Sequence, residues 1–248
     1  MGNLKDQIVS SNLPRHIAVI MDGNGRWAKK KGAVRIFGHQ NAVKSVREVT
    51  EGCAELGISY LTLYAFSTEN WGRPKHEVNG LMHLLVSTLK KEISTLLDNN
   101  VKLTTIGQTE NLPKNCQREL HEAMEMTCNN TGLTLVLALS YSGRWEIVEA
   151  ARKISEEVKA GELSTDEIDA NVFSRHLTTR SMPDPELLIR TSGEMRISNF
   201  LLWQIAYSEI FITDKLWPDF RKDDLYEAIV AYQKRERRFG RISEQVNT

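Results

Sequence analysis

At 248 residues the chain can bury one sizeable core, and a single α/β domain of that size is ordinary. Its 32 Lys and Arg balance 32 Asp and Glu, so the net charge is zero. That argues against broad affinity for nucleic acid or anionic membrane, and leaves any anion binding to local clusters.

Cys53, Cys116 and Cys128 show no C-x-x-C spacing, as expected of reduced thiols in a cytoplasmic protein. The polar N-terminus lacks the apolar stretch of a signal peptide. Asp6 stands where a myristoylation motif wants Ser or Thr. The apolar run LTLVLAL from Leu133 is far short of the ~20 residues that span a bilayer. Residues 1–13 are expected to form a flexible N-terminal segment, 14–241 one domain and 242–248 a C-terminal tail.

In chain order, strands and helices alternate. The pattern predicts a strand at His16–Met21, a helix at Asn41–Leu56, a strand at Tyr60–Phe66 and a long helix at His76–Leu97. A strand at Val101–Ile106, a helix at Lys114–Asn129, a strand at Leu133–Leu139 and a helix at Arg144–Val158 follow. A helix at Asp169–His176, strands at Glu186–Arg190 and Glu209–Thr213, and a helix at Asp223–Phe239 complete the set. Continuously apolar strands imply a sheet covered on both faces. The expected fold is therefore a single α/β domain with a central, largely parallel six-stranded sheet flanked by helices. Ligands of such sheets bind beyond the carboxyl ends of the strands.

The loop after the first strand carries Asp22, Gly23, Asn24, Gly25 and Arg26, with Lys29, Lys30, Lys31, Arg35 and His39 beyond. An acid, a glycine-rich turn and a cationic arc can hold a metal and a diphosphate; a plain turn before a solvated helix face is the bland alternative. The loop after the second strand, YAFSTENWGRP, offers Ser67, Thr68, Glu69, Asn70, Trp71 and Arg73. A helix-entry turn explains Ser67, Thr68 and Pro74, but not Trp71 and Arg73. The loop after the fifth strand brings Arg190, Arg196 and Ser198 around a glycine turn, suited either to bidentate phosphate recognition or to ion pairs with Glu186 and Glu194. Several arginines at strand ends exceed what one monophosphate needs. A hard divalent ion such as Mg²⁺ is held by one or two carboxylates plus substrate phosphates, and Asp22 is the acid among them. On helix His76–Leu97, Val78, Leu81, Met82, Leu85, Leu89, Ile93 and Leu96 form one stripe, widened by Leu84, Val86 and Leu97. Core packing explains the stripe; an apolar tunnel between helix and sheet, with Val101, Leu133, Leu135 and Leu137 opposite, explains its width. Asp223, Asp224 and Glu227 read as dipole capping at a helix start.

The motifs MDGNGRWA, Arg35 with FGH, YAFSTENW with RP, and IRTSGEMRISNFLLWQIAYSE together resemble the cis-prenyltransferases of the undecaprenyl diphosphate synthase type, over about Pro14 to Gly240. The resemblance implies a Mg²⁺-dependent enzyme that condenses isopentenyl diphosphate sequentially onto farnesyl diphosphate. The product would be a polyprenyl diphosphate of about C55, a lipid-carrier precursor for cell-wall polysaccharide. It implies that Asp22 holds Mg²⁺ on the allylic diphosphate, with Glu209 assisting near a homodimer interface. Gly23, Asn24, Gly25, Arg26, Trp27, Arg35, His39 and Arg73 are implied to cradle that diphosphate. Arg190, Arg196 and Ser198 are implied to bind isopentenyl diphosphate. Ser67, Thr68, Glu69, Asn70 and Trp71 would position the reacting ends, with Asn70 and Asp22 catalytic. Arg238-Phe239-Gly240 looks like a terminal R-x-G that reaches the partner subunit. No nucleic acid, and at most peripheral membrane contact through the lipid product, are expected. Glu186 and Ser140 depart from the family's usual Asp and Asn. Two other readings are a non-catalytic subunit of this fold and a nucleotide-binding or phosphatase site; the intact Asp and Arg set weighs against the first, and the wide apolar stripe against the second.

Overall fold

The computed structural model describes residues 4–238 and 242. Six strands form one all-parallel sheet: β1 (His16–Ile20), β2 (Tyr60–Ser67), β3 (Lys102–Ile106), β4 (Thr134–Tyr141), β5 (Leu187–Arg190) and β6 (Glu209–Ile212). Their order is β3-β4-β2-β1-β5-β6. From β1 the sheet grows outward through β2 on one side and β5 on the other, so the strand order reverses beside β1. A crevice opens beyond the carboxyl ends at such a switch point.

The helices are α1 (Asn24–Lys30), α2 (Arg35–Leu56), α3 (Lys75–Asp98), α4 (Lys114–Met126), α5 (Gly143–Ala160), α6 (Ala170–Arg175) and α7 (Lys222–Gln233). Alternation along β1 splits the core. Ile17 and Val19 join the larger cluster, with Val49, Leu89, Leu120, Leu225 and Ile229 of the helices. Ala18 and Ile20 face the smaller cluster, closed by Phe200 and Leu201 of the loop after β5. That loop is therefore a lid on the sheet and not a free excursion.

Three expectations need correction. The stretch DGNGRWAKK reads as a turn, yet Asn24–Lys30 is helical, and α2 begins at Arg35 rather than Asn41. Gly25 and Gly38 disguise both segments because glycine is a poor helix former. Gly38 is there for contact: a Cβ on it would lie 2.0 Å from the Asn24 carbonyl oxygen, so α1 and α2 cross almost backbone to backbone. Second, residues 4–13 are tied down: Leu4, Ile8 and Leu13 pack on the core, and the Gln233 amide donates to the carbonyls of Val9 and Asn12. Third, α7 stops at Gln233 because the basic run beyond it turns back to acids. Arg235 pairs with Glu209 at 2.7 Å and Arg237 with Glu186 at 2.8 Å. Phe239 and Gly240 of the R-x-G ending lie outside the described residues. Among the described residues no helix is long and apolar enough to cross a membrane.

Candidate active site

Asp22 lies two residues beyond the end of β1, after Met21, and meets Arg190, the last residue of β5. The Arg190 Nη2 donates to the Asp22 carboxylate at 2.9 Å, and the Arg26 guanidinium lies 3.4 Å from the same oxygen. Gly23 donates its N–H to the other carboxylate oxygen at 2.6 Å. Burial opposes ionisation of this carboxyl, but the Arg190 and Gly23 hydrogen bonds and the charges of Arg190 and Arg26 outweigh it. Asp22 is held below the usual carboxylate range and is ionised at neutral pH. Thr191 stitches the two strand ends together: its hydroxyl donates to the Asp22 carbonyl at 2.7 Å and accepts the Asp22 N–H at 2.9 Å.

Gly23 is required twice. Its φ of 105° is left-handed, and a Cβ would come 2.8 Å from Leu216 Cδ2. It caps α1, whose first N–H groups have no intrahelical partner. The Arg35 guanidinium lies over Gly25, where a Cβ would be 3.1 Å from its Cζ. Arg35 and Arg73 both reach Glu77 Oε1, at 3.4 and 3.0 Å. His39 sits among them. Burial, then the charge of Arg73 and to a lesser degree Arg35, pushes it down to about 4, so it is neutral at pH 7. Its Nδ1 meets the Asn24 amide at 3.3 Å, while buried His39 Nε2 and Asn24 Oδ1 have no partner.

On the other side of Asp22, Arg190 Nη1 donates to Ser198 Oγ at 2.8 Å and to the Arg196 carbonyl. Arg196 pairs with Glu194, which also meets Arg26 at 3.1 Å. Ser192, Ser198, Asn199 and Leu201 all adopt positive φ. Such backbone persists only where the surroundings over-determine it. Asn199 supplies much of that determination: its amide donates to Ser142 at 2.7 Å and Glu69 at 2.8 Å, and its Oδ1 accepts the Arg144 N–H. In the loop after β2, Asn70 Oδ1 accepts the Ser67 N–H, Thr68 donates to Glu69, and Trp71 Nε1 donates to Ser140 Oγ at 2.9 Å. The unusual Ser140 thus keeps an acceptor for the Trp71 indole. Glu186 instead serves the amino end of the sheet, accepting from Arg237 and from the Arg15 N–H.

Asp22, Ser67, Glu69, Asn70, Arg73, Arg190, Arg196 and Ser198 line one polar cleft of about 560 Å³. Met21, Tyr64, Asn70 and Arg73 also line a second, apolar cavity of about 250 Å³ between the sheet and helices α2 and α3. His39 and Asn24 stand on its wall, with Leu81, Leu85 and Leu89 of α3 and Leu103, Leu135 and Leu137 of the strands along it. Leu133 is buried one residue before β4, at the base of that wall and not on its surface. The wide stripe on α3 is divided between this cavity and a contact with α4, where Cys116 Sγ approaches the Met82 carbonyl.

Five expected residues stand apart: Trp27, Lys29, Lys30, Lys31 and Glu209. Trp27 stacks on Phe37 and donates to Asp219, bracing α1 from its outer side and lining neither cavity. Lys29, Lys30 and Lys31 are exposed. Glu209 begins β6 opposite Leu187, at the amino end of the sheet, with Arg235 on its carboxylate; one chain does not bring it to Asp22. Trp71 is half exposed at the rim. Sequence reasoning missed Glu77, Thr191 and Asn199. For Glu77 the available signal was its i,i+4 spacing from Arg73, whereas the partners of Thr191 and Asn199 lie far away in the chain.

A family model described as putative undecaprenyl diphosphate synthase matches residues 20–240. An isoprenyl transferase of Chlorobaculum tepidum is 56% identical over 95% of this chain and 89% of its own length. A ditrans,polycis-undecaprenyl-diphosphate synthase of Pasteurella multocida, described as (2E,6E)-farnesyl-diphosphate specific, is 53% identical over 94% of this chain and 98% of its own. Among solved structures, lavandulyl diphosphate synthase of Lavandula x intermedia in complex with dimethylallyl diphosphate superposes with a TM-score of 0.91 at 39% identity, covering 93% of this chain and 99% of that one. A probable undecaprenyl diphosphate synthase from Campylobacter jejuni gives 0.77 at 33%, covering 93% and 100%. An α/β fold with cationic loops over an apolar cavity is thus the frame of a prenyl diphosphate enzyme. The chain belongs to the undecaprenyl diphosphate synthase family and is a cis-prenyltransferase.

Proposed function

We propose that this enzyme extends farnesyl diphosphate with isopentenyl diphosphate to a long cis-polyprenyl diphosphate of about undecaprenyl length, for use as a cell-wall lipid carrier. The observation that carries the reading is one ionised carboxylate, Asp22, flanked by two cationic clusters above an apolar cavity. Arg35, His39, Arg73 and the Gly23–Arg26 backbone take the allylic diphosphate, so its hydrocarbon enters the cavity past Asn70. Arg190, Arg196 and Ser198 take the isopentenyl diphosphate, which places its double bond beside the allylic carbon.

The donor set fits Mg²⁺. Among the described residues no cluster of three His, Cys, Asp or Glu exists, but a single ionised carboxylate between phosphate-binding arginines is how this ion is held, with substrate oxygens completing the shell. Bound at Asp22, it would neutralise charge on the departing diphosphate. The chain's own part is electrostatic and positional. The allylic carbon–oxygen bond breaks, and Arg35, Arg73 and backbone N–H groups stabilise the leaving diphosphate. The isopentenyl double bond forms the new carbon–carbon bond, and a proton is lost to give the new cis double bond. Each added unit buries apolar surface in the cavity, which favours elongation. A homodimer would place the basic C-terminus and Glu209 near a partner.

Purified protein given farnesyl diphosphate, radiolabelled isopentenyl diphosphate and Mg²⁺ should yield a ladder of polyprenyl products on reversed-phase chromatography. No incorporation by the chain alone would sink the reading and favour a non-catalytic subunit.

A further inference from the structure

The cavity has an outer wall of unusual chemistry. On the sheet side it is apolar, but at the seam between α2 and α3 it is lined by Arg47, Thr50 and Glu51 of one helix and Thr88, Glu92 and Thr95 of the other. The spacings i, i+3, i+4 and i, i+4, i+7 put each set on one helix face. The same helices also line the cavity with Val43, Val46, Leu84 and Leu85, so this polar stretch is one part of their facing surfaces. What crosses it is one bidentate pair: Arg47 Nε to Glu92 Oε2 at 2.9 Å and Nη2 to Oε1 at 2.5 Å. Nearer the diphosphate end, α2 and α3 touch closely instead, since a Cβ on Gly80 would be 3.1 Å from Ile36 Cδ1.

Size gives the seam its importance. A cavity of ~150 Å³ takes a benzene-sized group of six carbons. On that scale 250 Å³ holds about ten carbons, fewer than the fifteen of a farnesyl chain and far fewer than a long product. The cavity must widen as the chain grows, and α3 lines it from Leu81 to Leu96, ~22 Å of helix. The sheet strands are hydrogen-bonded to one another and cannot part. The two helices can.

We propose that Arg47 and Glu92 form a clasp over a side exit of the cavity, and that this clasp limits how long the chain grows before its tail escapes between α2 and α3. The proposal rests on the elongation reading above. While the clasp is shut, the tail is turned back by the cavity floor and growth stops. When it opens, the tail slides out through the polar seam and condensation continues at the undisturbed heads. A half-exposed pair of this kind shifts an equilibrium by a few-fold, enough to alter a product distribution without altering the fold.

The test uses the intact enzyme, farnesyl diphosphate, isopentenyl diphosphate and Mg²⁺. Arg47→Ala and Glu92→Ala should each move the product ladder upward by at least one C5 unit. The rate of the first condensation should stay within about twofold of the parent enzyme, because neither Arg47 nor Glu92 lines the polar cleft where the diphosphates react. The exchanged pair Arg47→Glu with Glu92→Arg should restore the parent ladder, which a general loosening of the helices would not do. If the parent enzyme elongates and both single variants give its ladder unchanged, the clasp is wrong. It is equally wrong if the exchanged pair folds with the parent's melting temperature yet keeps the lengthened ladder. A parent enzyme that fails to elongate overturns the functional reading itself, and the clasp with it.

Discussion

The two ends of the sheet solve opposite problems with similar residues. At the amino end, Glu186 and Glu209 each hold an arginine, and His16 uses both ring nitrogens, on Pro183 O at 2.6 Å and Thr62 Oγ1 at 2.7 Å. At the carboxyl end, arginines outnumber acids, four non-glycine residues of the loop after β5 sit at positive φ, and Asn24 Oδ1, His39 Nε2 and Arg190 Nε are buried without partners. Buried polar atoms are ordinarily paired, so an end that leaves several unpaired is built for something other than its own stability. Strain and unmet hydrogen bonds gather where the ligand goes.

The sharpest challenge to that contrast is a substitution at each end. Asp22→Asn keeps an acceptor for Arg190 and Gly23 but removes the charge. Turnover should fall by about 10²–10³-fold, with the melting temperature little moved; near-normal turnover would refute the role of the carboxylate. Glu186→Ala should do the reverse, costing about 1 kcal/mol as Arg237 and the Arg15 N–H lose their acceptor, and leaving kcat unchanged. A kinetic collapse there would erase the distinction between the ends. Gly23→Ala should cost about 1–3 kcal/mol by denaturant titration, from the left-handed backbone and the Leu216 contact together.

The smallest effect is the most discriminating. His16 and His39 are both pushed down to about 4, chiefly by burial. Each is neutral when folded, whereas the unfolded chain takes up the proton near 6.5. Their contribution is therefore fully present above about pH 6.5 and is lost as the pH falls from 6.5 toward 4. Inorganic pyrophosphate beside His39 should raise its pKa and leave that of His16 where it is, as read by imidazole proton NMR. Equal movement of both would mean a global change and not a bound anion.

Much of this is legible in the amino-acid sequence. All six strands follow from apolar runs, and the loops at their ends carry the chemistry because a parallel sheet puts it there. The glycine-rich segment hid a helix, since Gly25 and Gly38 oppose the helical pattern while serving a close crossing that only the fold reveals. The resemblance puts Trp27 at the site, and a helix of 3.6 residues per turn carries its ring round to stack on Phe37. The roles of Asn199 and Thr191 were invisible because their partners are set by tertiary pairing; Thr191 binds a residue 169 positions away, whereas Glu77 sits one helical turn from Arg73. The bland ion-pair reading of the last loop was half right: Arg196 does pair with Glu194, but Arg190 goes to Asp22.

Thr191 has one more implication. By bonding both the N–H and the carbonyl of Asp22 it makes the tips of β1 and β5 a single stiff bracket. Neighbouring strands lie about 4.8 Å apart in every sheet, so the spacing of Asp22 and Arg190 is inherited from backbone hydrogen bonding. The cavity, in contrast, is walled by interchangeable side chains. Mutation can reshape the cavity while the spacing at the strand tips stays fixed.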